Sequence, residues 1–106
     1  MRIMQGDASM IPCSIKDAGT AINAADLLKV EFTVLGFTKH WRSGKNEVAY
    51  DGQNDCWNFP ITQKESMSKT PAVYPAQARV YYQNGSVVGV SLGEIEVIAS
   101  ESKEIL

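Results

Sequence analysis

At 106 residues, 44% of them hydrophobic and 21% charged, the chain can build one hydrophobic core but not two, and global disorder is excluded. A formal charge of −2 argues against a general binder of nucleic acid or anionic membrane, which carries a basic excess to neutralise phosphate. No apolar run is long enough to span a bilayer, and the first ten residues, MRIMQGDASM, lack the apolar centre of a signal peptide. The expectation is a single domain, residues 1–106, made in a cytoplasm.

Gly6-Asp7 reads as a turn, and Ser9 to Lys16 as the first strand; Pro12 lacks an N–H and so calls for an edge position or a bulge. Asp17-Ala18-Gly19-Thr20 is a loop signal, and Ala21 to Leu27 is short and Ala-rich, with room for one helical turn capped by Asn23. Leu28 to Leu35 is the cleanest half-buried strand, since Val30, Phe32 and Val34 alternate with Lys29, Glu31 and Thr33. Gly36 ends it. Phe37 to Arg42 and Glu47 to Tyr50 then read as a hairpin about Ser43-Gly44-Lys45-Asn46, with lysines guarding an exposed edge. Asp51 to Asp55 is a loop, Cys56 to Phe59 a short strand ended by Pro60, and Thr62 to Pro75 a surface crossover between sheets.

Ala76 to Ser100 reads as three strands, and its first hairpin can be placed in register because opposed residues share a face. A two-residue Asn84-Gly85 turn mixes polar with aliphatic residues. A three-residue Gln83-Asn84-Gly85 loop, with Gly85 as a left-handed bulge, instead pairs Val80 with Val88, Ala78 with Val90 and Ala76 with Leu92. The bulged turn is therefore expected, burying Val80, Ala78, Val88, Val90 and Leu92 and leaving Gln77, Arg79, Tyr81, Val87 and Ser91 outside. Ile95, Val97 and Ala99 form the inner side of the following strand, against Glu94, Glu96 and Ile98. Seven or eight short strands without an amphipathic helix predict an all-β, antiparallel, immunoglobulin-like β-sandwich, with a small barrel as the alternative.

Catalytic chemistry finds little material. His40 is the one histidine, flanked by Lys39 and Arg42, and no nucleophile elbow, P-loop or dinucleotide-binding pattern is present. Asp51, Asn54 and Asp55 carry oxygen ligands that Ca²⁺ could use, but their spacing matches no EF-hand, and a turn closed by Asx hydrogen bonds accounts for them. Cys13 and Cys56 read as two buried free thiols, with a disulfide as the alternative. The expectation is a non-enzyme with no cofactor and no metal. Binding has better material: Gln77, Arg79 and Tyr81 lie outside on one strand, and Trp41 and Arg42 close the other hairpin, a set rich in the aromatic and arginine side chains that dominate interfaces. Trp57 and Tyr50 are assigned to the core.

The order Cys13-Ser14-Ile15-Lys16-Asp17, Val30-Glu31-Phe32, Val48-Ala49-Tyr50-Asp51, Trp57-Asn58-Phe59-Pro60-Ile61-Thr62-Gln63, Gln77-Ala78-Arg79-Val80, Asn84-Gly85 and Ser102-Lys103-Glu104 resembles small phage and prophage proteins of Gram-positive bacteria. In layout it is similar to the immunoglobulin-like N-terminal domain of phage baseplate upper proteins, but the chain stops after one domain. The resemblance implies a virion-associated protein of capsid, tail or baseplate. Its expected partners are phage structural proteins, further copies of itself, and a host surface or host protein. An inhibitor of a host defence protein and a carbohydrate-binding module, stacking sugars on Trp41 and Tyr81, are the competing expectations.

Overall fold

A computed structural model of the chain describes residues 1–17, 20–42, 44 and 46–106, with the backbone alone at residues 17, 20 and 21. The loop predicted over Asp17 to Thr20 and the turn predicted over Ser43 to Asn46 therefore fall partly outside the described residues. In chain order the elements are β1 (Arg2–Met4), β2 (Ser9–Cys13), β3 (Lys16–Asp17), β4 (Thr20–Ala21), a 3₁₀ turn (Ala24–Asp26), β5 (Leu27–Val34), β6 (Phe37–Trp41), β7 (Ala49–Asp51), β8 (Cys56–Ile61), α1 (Gln63–Met67), β9 (Ala72–Tyr82) and β10 (Val87–Ile98).

The strands form a five-stranded sheet in the order β1-β10-β9-β5-β6 and a three-stranded sheet in the order β2-β8-β7, with β3 and β4 as a small separate pair. The fold is all-β, two layers closing on a shared core. β10, β9, β5 and β6 occupy the places of strands G, F, C and C′ of an immunoglobulin-like sandwich, and β2, β8 and β7 those of B, E and D.

Local chemistry explains most of these elements. β5 buries Val30, Phe32 and Val34 and turns straight into β6 through Leu35-Gly36, both at positive φ (55° and 79°), the two-residue turn whose twist suits a hairpin. Asn23 caps the 3₁₀ turn as expected, accepting from the Ala25 N–H at 3.0 Å. The β9–β10 hairpin has the predicted bulged turn: Gly85 sits at φ 90°, and the Tyr82 N–H donates to Ser86 O at 2.9 Å. Val80 pairs with Val88 and Ala78 with Val90. Cys13 and Cys56 are free and buried, as read; burial, with Cys56 nearby, pushes the Cys13 thiol up to about 11.

Several expectations are corrected. β10 is one strand, not two: the register shifts between Ser91 and Gly93, so Ala76 pairs with Gly93 rather than Leu92, and Leu92 is the extra residue of a β-bulge. Val88 is 37% exposed and Val90 and Leu92 are only half-buried, because β1, with Met1 before it, reaches back along β10 only to Glu94 and leaves the hairpin end without a neighbour. Ala99 is exposed beyond the strand. β1 was not foreseen, and its parallel pairing with β10 makes the larger sheet mixed. β2 ends at Cys13, on the sheet edge that Pro12 requires.

Residues Phe37 to Arg42 and Glu47 to Tyr50 are not a hairpin, for β6 and β7 belong to different sheets, joined here by the Val48 N–H donating to His40 O at 3.0 Å. Pro60 lies within β8, opposite Met10 of β2, at a point where β7 no longer pairs on the other side and no N–H is needed. Thr62 to Pro75 does cross between the sheets, but it contains α1, held by a capping box between Thr62 and Glu65, and its last residues already belong to β9.

The core joins the sheets through rings. Trp57 of β8 meets Phe32 of β5 at 6.3 Å, Trp41 of β6 at 5.6 Å and Tyr50 of β7 at 4.8 Å between centroids. At one margin, Lys39 points inward and donates to Pro60 O at 2.6 Å and Glu65 Oε1 at 2.9 Å. Burial raises the Glu65 pKa, but hydrogen bonds from Lys39 and the Thr62 N–H, with the Lys39 charge, outweigh it and leave the carboxyl below its ordinary value.

Phe32→Ala should cost about 3–5 kcal/mol in urea unfolding, the usual loss for a buried ring. Glu65 supplies stability that is present above its ordinary pKa of 4.5 and is lost as pH falls through its lowered folded value. The wild-type chain should accordingly lose more stability than Glu65→Gln on acidification below that point, as read from urea midpoints across the pH range.

Candidate interaction site

Period-2 geometry sets the candidate site. Because Val30, Phe32 and Val34 face the core, Lys29, Glu31 and Thr33 face out, and their register partners on β9 are Tyr81, Arg79 and Gln77. On the far side of β9, those three are opposed by Val87, Gly89 and Ser91 of β10. The outer face of β5, β9 and β10 thus gathers three of the five sequence-predicted residues into one row.

The row is shaped and charged. Gly89, with no side chain, leaves a depression of about 100 Å³ beside Arg79, walled by Glu31, Thr33 and Gln77. Lys29 Nζ lies 4.5 Å from the centre of the Tyr81 ring, a cation–π contact that holds the half-buried tyrosine against the sheet. Glu31 faces His40 Nε2 at 3.4 Å, and Glu47 Oε1 faces His40 Nδ1 at 3.6 Å. The ring of His40 thus stands between two carboxylates, with Nδ1 buried and without a hydrogen-bond partner. Arg79 is exposed and, among the described residues, makes no hydrogen bond or ion pair, although Glu31 stands directly across from it.

Trp41 and Arg42 do not join this face. Trp41 is 5% exposed and pairs with Val30, so β6 turns it into the core against Trp57 and Tyr50. Arg42 is exposed at φ 62° and lays its guanidinium 4.3 Å over the Trp41 ring. Its placement is that of a lid on a core residue. In their stead the structure adds Lys29, Glu31, Thr33 and Gly89, whose alternation in the sequence carried the signal but whose neighbours only the register supplies.

The Asp51 to Asp55 loop is closed by its own hydrogen bonds: Asp51 Oδ1 accepts from the Gln53 N–H at 3.0 Å and the Asn54 N–H at 3.4 Å, and Asn54 Nδ2 donates to Asp51 Oδ2 at 2.7 Å. These bonds, Asn54's foremost, hold the Asp51 carboxyl below its ordinary range. Tyr50 Oη donates to Asp55 Oδ1 at 2.6 Å, which pushes the phenol up.

No family model, curated protein or solved structure matches the chain. Among the described residues no helix is long and apolar enough to cross a membrane.

Arg79→Ala should leave the urea midpoint within about 0.5 kcal/mol of the wild type, as for a surface side chain without internal contacts. A larger loss would mean that the guanidinium is a structural group.

Proposed function

We propose that the chain is a non-enzymatic contact domain, a structural or decorating component of a phage virion, whose partner docks on the outer face of β5, β9 and β10 around Arg79. The observation that carries this reading is the uncommitted Arg79 guanidinium beside a depression floored by a glycine. An arginine that makes no hydrogen bond or ion pair of its own, although a carboxylate stands across the strands from it, keeps its donors for a group from outside. The partner chemistry that fits is a carboxylate on a protruding loop, entering over Gly89 and taking a two-pronged hydrogen bond from Arg79, with Tyr81 and Gln77 as flanking contacts.

Burial of Trp41 removes one of the two stacking platforms that a sugar-binding reading needs, and Lys29 already covers the ring of the other. An inhibitor of a host protein would use the same face and differs only in the partner captured. The two separate by where the chain is found.

In purified phage particles the chain should be detected by mass spectrometry at a fixed ratio to the major structural proteins; absence from particles sinks the virion assignment. With the chain as bait, Arg79→Ala should weaken capture of its partner by about tenfold or more, the loss expected for a central charged anchor. Equal capture by wild type and variant would move the docking site elsewhere.

A further inference from the structure

The hairpin end of β10 is an open sheet edge, and it lacks the devices found on the edge strands β1, β6, β2 and β7. β6 turns Lys39 inward, β2 carries Pro12, and β1 and β7 are three residues long with Arg2 and Asp51 in them. Such features discourage pairing with another molecule. By contrast, Val87-Val88-Gly89-Val90-Ser91-Leu92 has no charge and no proline, and β1 with Met1 before it reaches back only to Glu94.

The direction of its hydrogen bonds follows from the turn. The Tyr82 N–H donates to Ser86 O, so Val88 and Val90, two and four residues on, exchange bonds with β9. Val87, Gly89 and Ser91 turn their N–H and C=O groups away from it. Alongside them Val87 is 46% exposed and Val88 37%. A strand of β-branched residues offering both unpaired backbone groups and apolar side chains is completed by another strand.

We infer that this edge is the self-association site: a second copy of the chain adds its own β10 antiparallel, about a two-fold axis at Gly89. The segment is self-complementary in that register. Val88 falls opposite Val90 of the second copy on the inner face, Val87 opposite Ser91 on the outer face, and Gly89 opposite Gly89, and no residue of that stretch is charged, so no like charges meet. The two five-stranded sheets become one continuous sheet. This inference deepens the contact-domain reading and rests on it, yet its test is independent of the Arg79 partner.

Gly89 provides the test because its backbone φ is not positive and a Cβ there would meet nothing within 4 Å. The monomer therefore tolerates a charged side chain there, whereas in the pair two like charges would meet across the axis. Sedimentation and light scattering on the full chain, under reducing conditions, should show a concentration-dependent dimer for the wild type. Gly89→Lys and Gly89→Glu, each alone, should raise the dissociation constant by up to about fivefold while the far-ultraviolet circular dichroism stays that of a folded β protein. An equimolar mixture of the two should recover the dimer as a heterodimer, because the opposite charges then meet at the axis, a result that unfolded chains could not give. A wild type that remains monomeric at every concentration, a Gly89→Lys chain that dimerises like the wild type, or a mixture without recovery each overturns the inference. Arg79→Ala should dimerise normally, so failure of the docking proposal and failure of this one are told apart.

Discussion

The constraint on which the rest of this structure depends is the meeting of the two sheets at Trp57. Its ring is reached by Phe32 from the strand next to the edge of the larger sheet, Trp41 from that edge and Tyr50 from the neighbouring strand of its own sheet, and burying rings of this size stabilises by about 2–3 kcal/mol each before packing terms. Once Phe32 faces Trp57, every second residue of β5 faces solvent, and β9 must match that parity because Val80 and Ala78 fill the adjoining core positions. A slip of one residue would bury Glu31 and Arg79 and expose Phe32. The outward row of Gln77, Arg79 and Tyr81 is thus a consequence of the core as much as of its own sequence.

The parts legible in the sequence were those in which local chemistry and side-chain parity agree. The bulged turn at Gln83-Asn84-Gly85 followed from asking which loop length keeps Val80 and Val88 together, and the strand read over Leu28 to Leu35, observed as Leu27–Val34, from its alternation. Trp41 shows the limit. Its immediate neighbours are Lys39, His40 and Arg42, which look like a solvated strand, yet Phe37, Lys39 and Trp41 all point inward because they oppose Val34, Phe32 and Val30. Parity within β6 is readable; which parity is the inner one depends on the partner strand. The inward Lys39 misleads most, since its charge is satisfied by Pro60 O and Glu65, residues about twenty or more positions away.

β10 holds a clearer lesson. Its inward residues are even-numbered at Val88, Val90 and Leu92 and odd-numbered at Ile95 and Val97. A change of parity within an apolar run can mark either a strand break or a bulge, and the break is the natural reading beside a glycine. The structure has the bulge, with the Gly93 N–H donating to Ser91 Oγ at 3.3 Å and Gly93 at φ 97°. The extra residue lets one long strand serve both halves of β9 with an inward face throughout. β1, by contrast, is three residues whose pairing lies more than ninety positions away, and no local pattern could announce it.

Gly89 connects the two surfaces that the fold leaves open. Its missing side chain makes the depression beside Arg79, and its unpaired backbone lies at the middle of the free β10 edge. In a pair joined along that edge, the two β9 strands are separated by two β10 strands, so the two Arg79 positions lie about 14 Å apart across three strand spacings. They face the same side of one continuous sheet. A partner presenting two carboxylates at that interval would engage both at once, and the second contact would form at the high effective concentration that the first imposes. Modest affinity at each arginine is then sufficient, which suits a small face with a single uncommitted cation and a shallow depression rather than a deep pocket.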